Sequence, residues 1–128
     1  MLSKQRREGI QVDSATKEKL VANGIDCSEG IDRFGGNEAM YEKFIRRFLE
    51  DNHLKALQSA LDAKDAETAF YHAHTLKGVV GNLSFGAYFV AISMISGLLH
   101  DGRINEAIAH MPKVEEAHTK VVRALEKL

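Results

Sequence analysis

From Asn37 onward, apolar residues return every three or four positions along this chain. Tyr41, Phe44, Ile45 and Phe48 make one stripe, and Leu54, Leu57 and Leu61 make another. Ala69, Ala73, Leu76 and Val80 follow, and then Ile104, Ile108, Met111, Val114, Val121, Leu125 and Leu128. This spacing is that of helices with one buried face. The stretch Ala87–His100 is apolar almost all round, which predicts a buried helix. A single proline and few period-two alternations argue against sheets.

The punctuation places the elements. A short helix is expected from Ser14 to Ala22, capped by Ser14 and ended by Asn23-Gly24. Residues 25–36 read as loop, with one helical turn near Ile31–Phe34. Asn37 is a good N-cap for the first long helix, with Glu38 in its first turn. The stripe changes face near Asp51–His53, so this helix either bends there or passes from one neighbour to another. The next helix spans about Asp65 to Leu83 and is broken by Ser84-Phe85-Gly86. Asp101-Gly102 turns the chain into the last helix, where Pro112 removes a backbone donor and should kink or restart it. Short links make successive helices antiparallel. The expected fold is all-α, an antiparallel four-helix bundle with a short N-terminal helix. Residues 1–13 are polar and patternless and read as a flexible segment ahead of a domain spanning 14–128.

The helix from Asp65 to Leu83 keeps two glycines in its interior, at a cost of roughly 0.5–1 kcal/mol each relative to alanine. Measured from Ala73 on the buried face, His74 lies at about 100°, Gly81 at about 80° and Gly78 at about 140°. His74 therefore stands at the edge of the apolar face, beside a strip without side chains. Lys77, three residues on, is its neighbour along the helix. His72 points to the opposite flank. An accessible imidazole next to an ammonium group suits a nucleophile that meets a bulky anionic partner.

Composition narrows the class. The 128 residues carry a formal net charge of −1, so there is no electrostatic footprint for nucleic acid. No apolar run approaches the ~18–20 residues that cross a bilayer, and residues 1–12 lack the core of a secretory signal. Cys27 is the only cysteine, which excludes an intrachain disulfide framework. A cytoplasmic domain is expected. Bundles also house di-metal sites, and two Glu-x-x-His pairs occur, Glu50…His53 and Glu115…His118. The set such a site needs is incomplete, because Ala87–His100 has no acidic residue and Glu67 is the only glutamate of the histidine helix. Lys43, Arg46 and Arg47 are candidates for docking an acidic partner.

His74-Thr75-Leu76-Lys77-Gly78, followed by Gly81-Asn82-Leu83, resembles the signature of histidine-containing phosphotransfer (HPt) domains of bacterial phosphorelays. Gly30-Ile31-Asp32-Arg33-Phe34-Gly35-Gly36-Asn37 is similar to the segment that enters the first bundle helix in that family. The likeness runs from about Gly24 to the C-terminus, with Ser84 standing where the family usually has glycine. It implies one long first helix ending near Ala63. It also implies that His74 accepts a phosphoryl group, through Nε2, from a receiver-domain aspartate and passes it to another response-regulator receiver. Lys77 would stabilise charge on the phosphoryl oxygens, and Gly78, Gly81 and Asn82 would face the docked receiver. No cofactor is expected on this chain, the Mg²⁺ being the receiver's, and no autonomous kinase activity. Expected partners are receiver domains and a hybrid sensor histidine kinase, met by a monomer. The alternatives are a module that docks receivers without passing phosphate, or a metal-binding bundle.

Overall fold

The computed structural model describes residues 13–128; all but Asp13 of the expected flexible segment lies outside them. Seven α-helices follow in order: α1 Ser14–Ala22, α2 Cys27–Arg33, α3 Glu38–Arg47, α4 His53–Asp62, α5 Ala66–Asn82, α6 Gly86–His100 and α7 Ile104–Glu126. No strand occurs among the described residues. Side-chain carboxylates or amides open several of them. Asp13 accepts from the Thr16 amide, Asn37 from Met40 and Asp65 from Thr68, each satisfying one of the donors a helix start leaves free. The cap of α1 is thus Asp13, not Ser14, which is its first helical residue.

The bundle has four rods: α3 with α4, then α5, α6 and α7. α5 packs between α4 and α6, and α6 packs between α5 and α7. The Gln58 amide donates to Glu115 at 2.9 Å, joining α4 to α7 across the bundle. Tyr41, Ile45, Leu57, Leu76, Val80, Tyr88, Ile92, Ile95, Val114 and Leu125 are buried along the axis. Apart from Tyr88, Ile92 and Ile95 on α6, where no single stripe was expected, these are stripe positions predicted from periodicity.

Three expectations are corrected. The first rod is not one helix ending near Ala63. A 3₁₀ turn, Phe48–Glu50, interrupts it, Asp51 is extended, and α4 restarts at His53. The Asp51 carboxylate accepts from the His53 amide at 2.8 Å. The interruption turns Phe48 edge-on against Phe85 and Tyr88, at 5.2 and 5.9 Å between ring centroids, and re-phases Leu54, Leu57 and Leu61 inward. Second, α7 runs unbroken through Pro112. Pro112 is exposed, so water can reach the Ile108 carbonyl that loses its partner. Third, α6 is not buried all round. Val90 and Met94 are 69% and 51% exposed, because in a ring of four rods each helix buries only the side that meets its neighbours.

Residues 25–36 hold more structure than a loop. α2 is capped by Asp26, whose Oδ1 accepts from the Glu29 amide at 3.1 Å. One hydrogen bond joins it directly to the C-terminal end of α5, and Tyr41 of α3 links the two through a further pair of contacts. The Asp26 amide donates to the Ser84 carbonyl at 2.9 Å. The Tyr41 hydroxyl donates to the Leu83 carbonyl at 2.8 Å. Gly30 faces the Tyr41 ring so closely that an added Cβ would sit 2.2 Å from it, so only glycine admits this approach.

Candidate functional site

α5 ends in a Schellman turn. The Ser84 amide donates to the Gly81 carbonyl and the Phe85 amide to Val80, with Ser84 in the left-handed region at φ +62° and Phe85 packed with Val80 in the core. This turn fixes where the last two turns of α5 meet α2 and the start of α6. The cleft left between them has a volume of about 360 Å³.

All five residues singled out in the sequence, His74, Lys77, Gly78, Gly81 and Asn82, line this one cleft. His74 is exposed and Lys77 half-buried. The His74 ring stacks on Phe70, with centroids 5.6 Å apart and planes 23° from parallel. Phe70 in turn touches the His100 ring at 5.8 Å. Among the described residues no side chain hydrogen-bonds either nitrogen of His74, so the imidazole is held by an aromatic face while its nitrogens stay available.

The two glycines differ. An added Cβ at Gly78 meets nothing within 4 Å, whereas at Gly81 it would lie 3.0 Å from the Phe89 ring. The strip expected to be clear over both glycines is therefore clear at Gly78 and roofed by Phe89 at Gly81.

The cleft also takes Glu29 and Arg33 from α2, and Ser84, Phe85, Gly86 and Phe89 beyond α5. None of these was singled out as a site residue. Arg33 and Glu29 form an exposed i,i+4 pair, 3.6 Å between guanidinium and carboxylate. A sequence signal existed for the pair in its one-turn spacing, but nothing local told that α2 folds beside His74.

The other histidines are engaged elsewhere. His72 faces His53 across α4 and α5, Nδ1 to Nδ1 3.0 Å apart. His118 Nδ1 lies 3.0 Å from the Tyr88 hydroxyl, and burial holds the His118 pKa below its usual value, with Asp51 pulling the other way. The Glu50…His53 and Glu115…His118 pairs thus look to different neighbours, and among the described residues no group of three or more His, Cys, Asp or Glu side chains is arranged to hold a metal ion. Of the basic cluster on α3, Arg46 pairs with Glu42 and Arg47 lies 5.4 Å over the Phe44 ring. No helix among the described residues is long and apolar enough to cross a membrane.

The family model of the Hpt domain matches residues 40–124, about two thirds of the chain, from the start of α3 to near the end of α7. The chain belongs to the Hpt-domain family. That membership carries a histidine-phosphotransfer role in phosphorelays and interaction with response-regulator receivers. α1 and α2, and with them Glu29 and Arg33, lie ahead of the matched region. Comparison with curated proteins and with solved structures gave no match.

Proposed function

We propose that His74 is the phosphoacceptor. The observation that carries this is the convergence on one cleft of Lys77 and an exposed imidazole that has no side-chain hydrogen-bond partner among the described residues, beside a helix surface left bare at Gly78. The Nε2 lone pair of the neutral ring attacks the phosphorus of an aspartyl phosphate on a receiver. The acyl-phosphate P–O bond breaks and the receiver's carboxylate leaves with the electron pair. Nδ1 keeps its proton, so the ring emerges positively charged and loses that proton to solvent afterwards. Such transfers run on positioning and on neutralising the phosphoryl oxygens, a task that falls to Lys77 here. The reverse step hands the group to a second receiver. The Mg²⁺ of the reaction belongs to the receiver, and receivers are the partners, free or attached to a hybrid sensor histidine kinase. Gly78 and Asn82 face the docked receiver, and Phe89 over Gly81 joins that surface.

Incubation with a phosphorylated receiver tests the reading. The protein should take up an acid-labile, base-stable phosphate. His74→Gln should abolish it with the helical circular-dichroism spectrum unchanged, whereas His72→Gln, whose ring faces His53, should retain most of it. Labelling that survives His74→Gln would refute the assignment, and receiver binding without any labelling would leave a docking module.

A further inference from the structure

We infer that Arg33 is a second phosphoryl-binding cation, held in reserve by Glu29. This rests on His74 being the acceptor and goes beyond it, because both residues come from α2, ahead of residues 40–124 that the family model matches. They line the same cleft as His74 and Lys77. α2 is anchored beside the end of α5, directly and through Tyr41 of α3. The Asp26–Ser84 and Tyr41–Leu83 hydrogen bonds and the Gly30–Tyr41 contact tie it to the end of α5.

A phosphoryl group on His74 brings about two negative charges into a cleft whose α5 side supplies one cation, Lys77. Arg33 has the chemistry to share that load, since its planar fork matches phosphate oxygens two at a time. Its present partner does not hold it firmly. The Arg33 and Glu29 side chains are 50% and 55% exposed and 3.6 Å apart, and such solvated pairs are weak. When His74 is unmodified, Glu29 neutralises Arg33. When His74 carries phosphate, the dianion outcompetes the single carboxylate, and Glu29 becomes a like charge facing the phosphoryl group. The two side chains therefore act in opposite directions on the stability of phosphohistidine.

The test is the equilibrium partition of phosphate between this protein and a purified response-regulator receiver. At equilibrium among the free proteins the docking step cancels, so the ratio reports the phosphohistidine itself. Arg33→Gln should shift the partition toward the receiver by roughly twofold to tenfold, the scale of one solvent-screened charge contact. Glu29→Gln should shift it toward His74, Arg33→Lys should recover part of the Arg33→Gln loss, and all shifts should shrink in 1 M salt. Both positions are exposed, and circular dichroism of each variant checks the fold. In parallel, phosphoramidate supplies a small donor: its P–N bond breaks, ammonia leaves, and the Nε2–P bond forms. Unchanged partition in both Gln variants, or shifts of the same sign, would overturn the inference while His74 still labels. A wild-type protein that takes phosphate from neither donor would overturn the acceptor reading, and this inference with it.

Discussion

The hydroxyl of Tyr41 donates to the carbonyl of Leu83, 42 residues further along the chain, at 2.8 Å. Leu83 is the C-cap of the histidine helix, so its carbonyl is one that the helix cannot satisfy itself. Both partners are buried. Tyr41→Phe should leave the carbonyl without a partner and lower stability by about 1–3 kcal/mol, the cost of an orphaned buried acceptor, measured by urea denaturation. Burial also pushes the Tyr41 hydroxyl's ionisation far above its ordinary value, so no phenolate from this residue should appear in an absorbance titration until the fold opens.

Ser84 and Lys64 hold left-handed backbone at φ +62° and +57°, each at the residue after a helix C-cap, where glycine is the low-strain choice. The Ser84 hydroxyl is buried and has no hydrogen-bond partner. Ser84→Gly removes both penalties and should stabilise the protein by about 1 kcal/mol. Lys64→Gly should gain less, since the Lys64 ammonium donates to Asn105 on α7. Denaturation midpoints of the two variants compare them directly; a destabilised Ser84→Gly would mean that the turn carries no strain.

Gly78 and Gly81 should respond differently to alanine. At Gly78 the methyl enters open space, so Gly78→Ala should add roughly 0.5–1 kcal/mol through helix propensity. At Gly81 the same gain is offset by displacing the Phe89 ring, which the 3.0 Å approach requires, so Gly81→Ala should be the less stable of the two. Gly78→Gln should fold normally, react with phosphoramidate nearly as the wild type does, and accept from a receiver far more slowly. Equal slowing with both donors would mean that Gly78 shapes His74 itself.

His118 makes the fold sensitive to acid. Burial lowers its pKa from 6.5, so the unfolded chain takes up a proton at this site before the folded one does. Its contribution is present above pH 6.5 and is lost as pH falls from there through the lower folded-state value. The His118 ring also packs against Phe48 at 5.9 Å, so His118→Gln should cost stability at every pH. The informative reading is the difference between urea midpoints at pH 7.5 and pH 5.5, which should be smaller in the variant. An unchanged difference would assign the acid sensitivity to other groups.

Helix α5 was legible in the sequence because its apolar positions keep one phase from Ala69 to Val80 and its glycines fall on one side. The break between α3 and α4 was only half legible. The change of face at Leu54 was visible, but no proline or glycine marks Phe48–Glu50, and the signal that a new helix starts is the single Asp51 carboxylate on the His53 amide. In the sequence α2 looks like a single turn because it is only seven residues long and carries Gly30, whose reason is the Tyr41 ring rather than a bend. The place of Arg33 beside His74 was not legible, since it depends on contacts between residues more than forty apart, Tyr41 with Leu83 and Asp26 with Ser84.

α2 touches the bundle through backbone groups, the Tyr41 ring and the buried Cys27 and Gly30, while the exposed Glu29 and Arg33 line the cleft. The residues that attach the segment are thus separate from those that give the cleft its charge. Exchanging the latter leaves the anchoring contacts in place, and on the role inferred for Arg33 it would alter how firmly phosphate is retained. Two chains with identical bundles could then differ in signal persistence through one short appendage, and a fragment trimmed to the bundle alone would misreport the relay's set point.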